Sequence, residues 1–406
     1  MKLWGALGRR LGPGIVSGAS DNDPTTVASL AVIGSTTTYA LGWLTLLVIP
    51  MLVIVQAIST HIGAVTKCGL EDLVRRRYGR TAAFVVLLSV LLVNVLTFAA
   101  DLEGGGAALQ LLSGISYLWW IVPLAAISLA LLIWGNYASV ERILVYIPLA
   151  FVTYIISAIV AHPDWGAVLR YSFIPHFEHS NVYISGAIAL LGTTLTAYAY
   201  VWQQIEISEE RPPLRRLGLV QVDATFGAVA AGITFWFIVI ATGATLGVHG
   251  KQVQTAADAA QALAPVAGRF AATLFGIGLL GSALLALPVL LATSAYVVSE
   301  MFRWSGQLNA KFFQAPRFYG TMLAIAVIGC TIALAGIKPI QLLFTSSIAG
   351  GIATPVTLVF LLLAAGSKDV AKRPVSPWLR AAGWVVTAIV TVTAGVYLYQ
   401  SFTGAS

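Results

Sequence analysis

Eleven apolar runs follow one another along this 406-residue chain with only short polar links between them. They lie near residues 12–36, 41–66, 82–112, 116–135, 140–161, 181–206, 218–247, 266–302, 317–337, 340–366 and 377–402. Each is at least as long as the roughly 17–25 residues a helix needs to cross a bilayer. Only 10% of residues are charged and 58% are hydrophobic, whereas a soluble domain carries roughly 25% charged residues. That is too little charge to coat a water-facing surface. The expectation is an all-α membrane protein with little mass outside the bilayer. Cys68 and Cys330 suggest neither a disulfide framework nor a metal cluster. The segment 1–10 carries charge but no separate apolar core before a small-residue cleavage site, so a retained first helix is expected.

The basic residues orient these spans. With the N-terminus in the cytoplasm, nineteen of the 23 Lys and Arg side chains fall in cytoplasmic segments, and only Arg170, Lys251, Arg269 and Lys338 fall outside. This is the positive-inside bias, and a missed or extra helix would scramble it. The reading is 11 transmembrane helices in a multi-pass inner (plasma) membrane protein, N-terminus cytoplasmic and C-terminus extracytoplasmic. The same distribution accounts for the net charge of +7. No basic stripe is interleaved with aromatics, so nucleic acid is not an expected partner. No nucleotide loop, nucleophile elbow or zinc-protease helix motif appears, so the chain does not read as an enzyme. No cofactor and no obligatory protein partner is implied beyond the lipid bilayer. The longest links, 162–180 and 248–265, are too short for a soluble domain, so residues 1–406 read as one transmembrane unit whose function lies within the membrane.

Polar residues at bilayer depth locate that function. The first run contains Ser17-Gly18-Ala19-Ser20-Asp21-Asn22-Asp23-Pro24-Thr25-Thr26. Pro24 lacks a backbone donor and disfavours helix at Asp23. A plain loop between two short segments fails on length, because residues 11–20 cannot span alone. An ionisable group at midplane costs at least about 2.5–3.5 kcal/mol and is tolerated where it faces a cavity or ligand. An unwound helix there is the usual construction of an ion site. The sixth run carries Gly192-Thr193-Thr194-Leu195-Thr196-Ala197-Tyr198-Ala199-Tyr200, then Trp202, Gln203 and Gln204. Without a proline its break is less marked, and its threonines could instead bond back to their own helix. The third run carries Asp101 and Glu103 before Gly104-Gly105-Gly106. The acids suggest an ion path, while the glycines suit either a hinge or a close helix crossing. Glu71, Asp72 and Arg75 to Arg77 read as a solvated cytoplasmic face. His162, His176 and His179, near Asp164 and Glu178, read as surface residues of an outer link; His61 and His249 lie away from the midplane.

The sequence resembles the Nramp family of divalent metal transporters. Leu11-Gly12-Pro13-Gly14 leading into Asp23-Pro24 resembles that family's Gly-Pro-Gly entry and Asp-Pro-Gly-Asn break. Further likeness lies in Gln56 to Gly63, Asp72-Leu73, Arg77-Tyr78-Gly79, Leu109 to Ile115, Ser139-Val140-Glu141 and Leu274 to Leu280. The likeness runs from about residue 10 to 302 and more weakly to 366. It implies a LeuT-type 5+5 inverted repeat with helices 1 and 6 broken. Residues 12–161 would form the first repeat, 181–366 the second, and 377–402 an extra helix 11. Three departures stand out. The family's asparagine ligand is Thr26 here, its Met-Pro-His in helix 6 aligns with Thr196-Ala197-Tyr198, and Phe98 stands where an acid precedes the helix 3 glutamate, with Asp101 at the glutamate itself. This pattern is most similar to the Nramp-related magnesium transporter branch.

Chemistry points the same way. A thioether favours softer transition metals, whereas magnesium takes oxygen ligands in near-octahedral geometry and keeps several waters. The implied site is Asp23 as anionic ligand, with Thr26, Thr193 and Thr196 toward the hydration shell and carbonyls near Ser20 and Thr193 completing it. Asp101, Glu103, Tyr198 and Gln203 are candidates for an ion path or coupling. The expected activity is uptake of partly hydrated Mg2+, with Mn2+ also carried, without tight proton coupling. The alternatives are a proton-coupled Mn2+/Fe2+ symporter of the ordinary Nramp kind and an organic-solute (amino-acid) carrier on the same fold.

Overall fold

The structure is a computed structural model in which residues 22–134, 153–304, 306, 308, 312–370 and 373–403 are described. Helices are labelled in chain order as α1 Pro24–Thr37, α2 Gly42–Thr66, α3 Leu70–Ser113, α4 Leu118–Ile133, α5 Thr153–Val160, α6 Trp165–Phe173, α7 Asn181–Thr194 and α8 Ala197–Glu210. They continue as α9 Leu217–Thr245, α10 Ala256–Gln261, α11 Ala271–Phe302, α12 Pro316–Ala333, α13 Pro339–Ala365 and α14 Pro377–Thr403. Among the described residues, 8 helical stretches are long and apolar enough to cross a membrane, with α4 a shorter apolar helix. Of the run near 12–36 the described part is α1, and of the run near 140–161 it is α5; Ser20 and Asp21 lie outside the described residues.

Surface and interior are both apolar, as a bilayer requires. Leu92 of α3, Trp119 of α4 and Val392 of α14 present large apolar side chains outward, where lipid rather than water is their solvent. Inside, α3 lies lengthwise against α11 and α13, α2 against α9 and α8, and α7 against α13. The triple glycine of α3 is a close crossing rather than a hinge. A Cβ on Gly104 would meet Pro24 at 2.6 Å, one on Gly105 would meet Ala283 and Leu124 at 3.0 Å, and one on Gly106 would meet the Tyr117 carbonyl at 2.9 Å. Small residues let helix backbones approach where no hydrophobic force drives association.

Two differences from the sequence reading have clear causes. Helix α3 begins at Leu70, well before the apolar run near 82–112, and bends at Gly79 (φ 87, ψ 179), a conformation that glycine alone adopts readily. Within the segment before the bend, Glu71 is docked and only 1% exposed, whereas Arg76 and Arg77 stay exposed on the solvated face the sequence suggests. The Glu300 carboxylate of α11 accepts backbone amides at the start of α3, including that of Asp72 at 3.2 Å. A side chain on Gly69 would collide with that carboxylate. The outer links also hold short helices, capped by Asp164 on the Ala167 amide and by a Thr255–Asp258 capping box.

Candidate metal-ion site

Asp23 and Pro24 set up the start of α1. Asp23 is extended (φ −63, ψ 164), and its Oδ1 accepts the Thr26 amide at 2.6 Å. Pro24 occupies the first helical position, where no amide is needed. The other oxygen, Oδ2, accepts the Tyr198 hydroxyl at 2.7 Å. Thr25 turns the other way and gives both its amide (3.0 Å) and its hydroxyl (2.6 Å) to Asp101 Oδ1 on α3. The Asp23 carboxylate and that of Asp101 on α3 thus meet at the N-terminus of α1, within electrostatic reach of each other. Both are buried, and Asp101 Oδ2 has no hydrogen-bond partner among the described residues.

A break in the sixth apolar run lies opposite. Helix α7 ends at Thr194 with Leu195 (φ −101, ψ 31) as its C-cap, and Thr196 is extended (ψ 133) before α8 begins. No proline is required, because the polar groups of the break find other partners. Thr194 and Thr196 hydroxyls bond back to the Leu190 and Gly192 carbonyls, each at 2.6 Å. The Leu195 carbonyl accepts the Thr354 hydroxyl of α13 at 3.3 Å. Gly192 permits this approach, since a Cβ there would strike the Ser347 carbonyl and the Gly351 backbone. Thr193 then reaches across, its hydroxyl 2.9 Å from that of Thr26 and its carbonyl 3.3 Å from the same hydroxyl. The last carbonyls of α7 form the negative end of a helix dipole, which favours a cation.

The structure therefore brings Asp23, Thr26, Thr193 and Tyr198 together and adds Asp101 through Thr25. The Thr196 hydroxyl is turned back onto its own helix. Glu103 is buried with neither carboxylate oxygen bonded among the described residues, and the Gln203 amide is likewise without a partner. Phe98 occupies a different face of α3, against Gly329 of α12. The α3 face toward α1 carries Thr97, Asp101 and Gly104, a helical repeat. His176 pairs with Glu178 at 3.0 Å, and no group of three or more potential metal-ligating side chains occurs among the described residues.

Sequence reasoning missed the supporting shell. Ser347 of α13 bonds Ser29 of α1 at 2.6 Å, Ser346 bonds Thr97 at 3.2 Å, and Ser282 of α11 donates to the Asn22 carbonyl. The signal was present in Ser346-Ser347 before Gly350-Gly351, a polar pair and a glycine pair at the middle of one apolar run.

No lysine, arginine or histidine bonds Asp23, Asp101 or Glu103 among the described residues. Comparison with known proteins bears on family and fold. The family profile described as "Nramp: Natural resistance-associated macrophage protein-like" matches residues 14–400. The divalent metal cation transporter MntH of Deinococcus radiodurans is 26% identical over 410 residues, covering 97% of this chain and 90% of that protein. The MntH of Clostridium acetobutylicum is 25% identical, covering 97% and 91%. Among solved structures, the manganese transporter of Eremococcus coleocola superposes with a TM-score of 0.72 at 18% identity over 99% of this chain and 89% of that one. MhsT, in complex with L-phenylalanine, gives 0.63 at 16% identity over 95% and 97%. The chain has the LeuT-type helical fold and belongs to the Nramp family.

Proposed function

We propose that this chain carries divalent metal ions across the membrane, taking Mg2+ as a partly hydrated ion together with Mn2+, without tight proton coupling. The observation that carries the reading is the pair of buried carboxylates, Asp23 and Asp101, at one half-helix terminus with no basic partner among the described residues. Two negative charges in a low-dielectric interior call for a divalent counter-ion. The MntH relatives, divalent metal cation transporters by name, support the substrate class. Preference for magnesium is supported by donor chemistry. The side chains bonded around Asp23 offer hydroxyl and carboxylate oxygen, and neither thioether nor imidazole takes part among the described residues. Such hydroxyls suit retained water on a hard ion. A divalent cation gains about 2.3 kcal/mol per charge per 100 mV of inside-negative potential, so inward movement needs no proton.

A proton-coupled Mn2+/Fe2+ symporter is the second reading, favoured by the unbonded, buried Glu103. The likeness to MhsT concerns fold alone, and the carboxylate pair would repel the carboxylate of an amino acid. Replacing Asp23 with Ala tests the assignment: Mg2+ uptake into proteoliposomes is abolished while the protein stays folded. Undiminished uptake would remove Asp23 from the site.

A further inference from the structure

On the face that the basic-residue bias assigns to the cytoplasm lies a cavity of about 750 Å³. Three helices end at its wall: α2 in Lys67, α8 in Arg211 and α11 in Arg303. All three residues adopt the left-handed backbone conformation, with φ of 55, 48 and 56, where glycine is the usual occupant. The acids of the cavity are engaged. Asp72 is paired with Arg76, Glu209 accepts the Tyr296 hydroxyl at 2.6 Å, and Glu300 caps the first turn of α3. The three cations at the helix ends, by contrast, make no side-chain hydrogen bond or ion pair with another described residue. Ser299, which also lines the cavity, is 3% exposed, and its hydroxyl has no partner among the described residues. Membrane orientation and helix dipoles account for basic residues at cytoplasmic helix ends. Neither requires three of them to meet at one cavity whose acids are already satisfied.

We propose that this cavity binds a phosphate-bearing anion, either a soluble polyphosphate or the headgroup of an anionic lipid, through Lys67, Arg211, Arg303 and the Ser299 hydroxyl. Guanidinium and ammonium groups match phosphate oxygens in charge and donor geometry, and their three full charges outweigh the partial negative charges of the three helix C-termini they close. Arg211 closes α8, the half-helix whose first turn holds Asp23 through Tyr198. An anion joining Arg211 to Arg303 ties the far end of that half-helix to α11 and restrains its movement. The bound anion is then a brake on transport, a consequence that rests on the transport reading; anion binding itself does not.

The test is thermal unfolding of purified, metal-free protein in detergent. One arm titrates inorganic pyrophosphate against sodium chloride of matched ionic strength, and the other adds short-chain phosphatidylglycerol against phosphatidylcholine. A saturable rise in Tm is expected in at least one arm. Its half-saturating concentration moves up about tenfold in Arg211→Gln and in Arg303→Gln, as loss of one charge-assisted hydrogen bond implies, and largely recovers in Arg303→Lys. A response to pyrophosphate assigns a soluble ligand, and a response to phosphatidylglycerol alone assigns a headgroup. No saturable rise in either arm, an equal rise with chloride, or an undiminished rise in the Arg211→Gln/Arg303→Gln double variant overturns the proposal. All these readings are taken without metal, so they stand apart from any failure of the Asp23 uptake test.

Discussion

Replacing Asp101 with Asn separates charge from architecture at the site. The Asp101 Oδ1 atom holds the Thr25 amide and hydroxyl at 3.0 and 2.6 Å, and an asparagine amide oxygen can accept both. The start of α1 therefore stays capped while one negative charge disappears. With an ion about 7 Å away and an effective dielectric between about 20 and 80, a unit charge acts on a divalent cation with about 1–5 kcal/mol. Even the lower end corresponds to roughly a fivefold change in binding. The expected result is a KM for Mg2+ uptake raised about fivefold or more in proteoliposomes, with thermal unfolding close to that of the parent. Thr25→Val is the companion, since it removes a donor to Asp101 but leaves the charge; a change of only a few-fold is expected. A KM within twofold of the parent in folded Asp101→Asn protein would show that the second carboxylate takes no part in balancing the ion, and the argument from paired acids would fail.

Gly192→Ala forces a Cβ into the α13 backbone, where no flexible side chain can yield. A loss of about 1–3 kcal/mol in stability is expected, seen as a lower melting temperature accompanied by lost uptake. Thr354→Val leaves the buried Leu195 carbonyl without its donor, at about 1–3 kcal/mol, and a melting temperature equal to the parent's would contradict that role. Mg2+ at a hundred times its Kd stabilises the chelator-stripped protein by about 2.7 kcal/mol. The same addition to Asp23→Ala protein leaves its unfolding unchanged if Asp23 is the anionic ligand.

Helix positions were largely legible because a membrane span is a length signal. Runs of 20 or so apolar residues admit little else, and α13 and α14 fall within a residue or two of the runs read from sequence. The helix start at Asp23-Pro24 was legible for a local reason, a missing amide beside an acid. The partners across the site were not, because they are set by tertiary packing. Nothing in the local sequence says that Thr25 turns to Asp101 while its neighbour Thr26 turns to Thr193. Nor does it show that Thr354, far along the chain, supplies the donor that lets α7 break without proline. The burial of Glu71 was not legible because its segment is docked through backbone amides that the Glu300 carboxylate, 229 positions away in sequence, accepts. The choice between hinge and crossing at Gly104-Gly105-Gly106 also needed the neighbouring helices, since glycine serves both.

The most direct test of the central claim is Mg2+ uptake into proteoliposomes under an inside-negative potential, with Mn2+ as competitor and a pH-sensitive dye in the lumen. The account predicts Mg2+ entry that Mn2+ suppresses, with no acidification tracking the metal. Entry of Mn2+ alone, or lumenal acidification in step with metal uptake, would contradict it and return the chain to the proton-coupled reading, with Glu103 as the first residue to test.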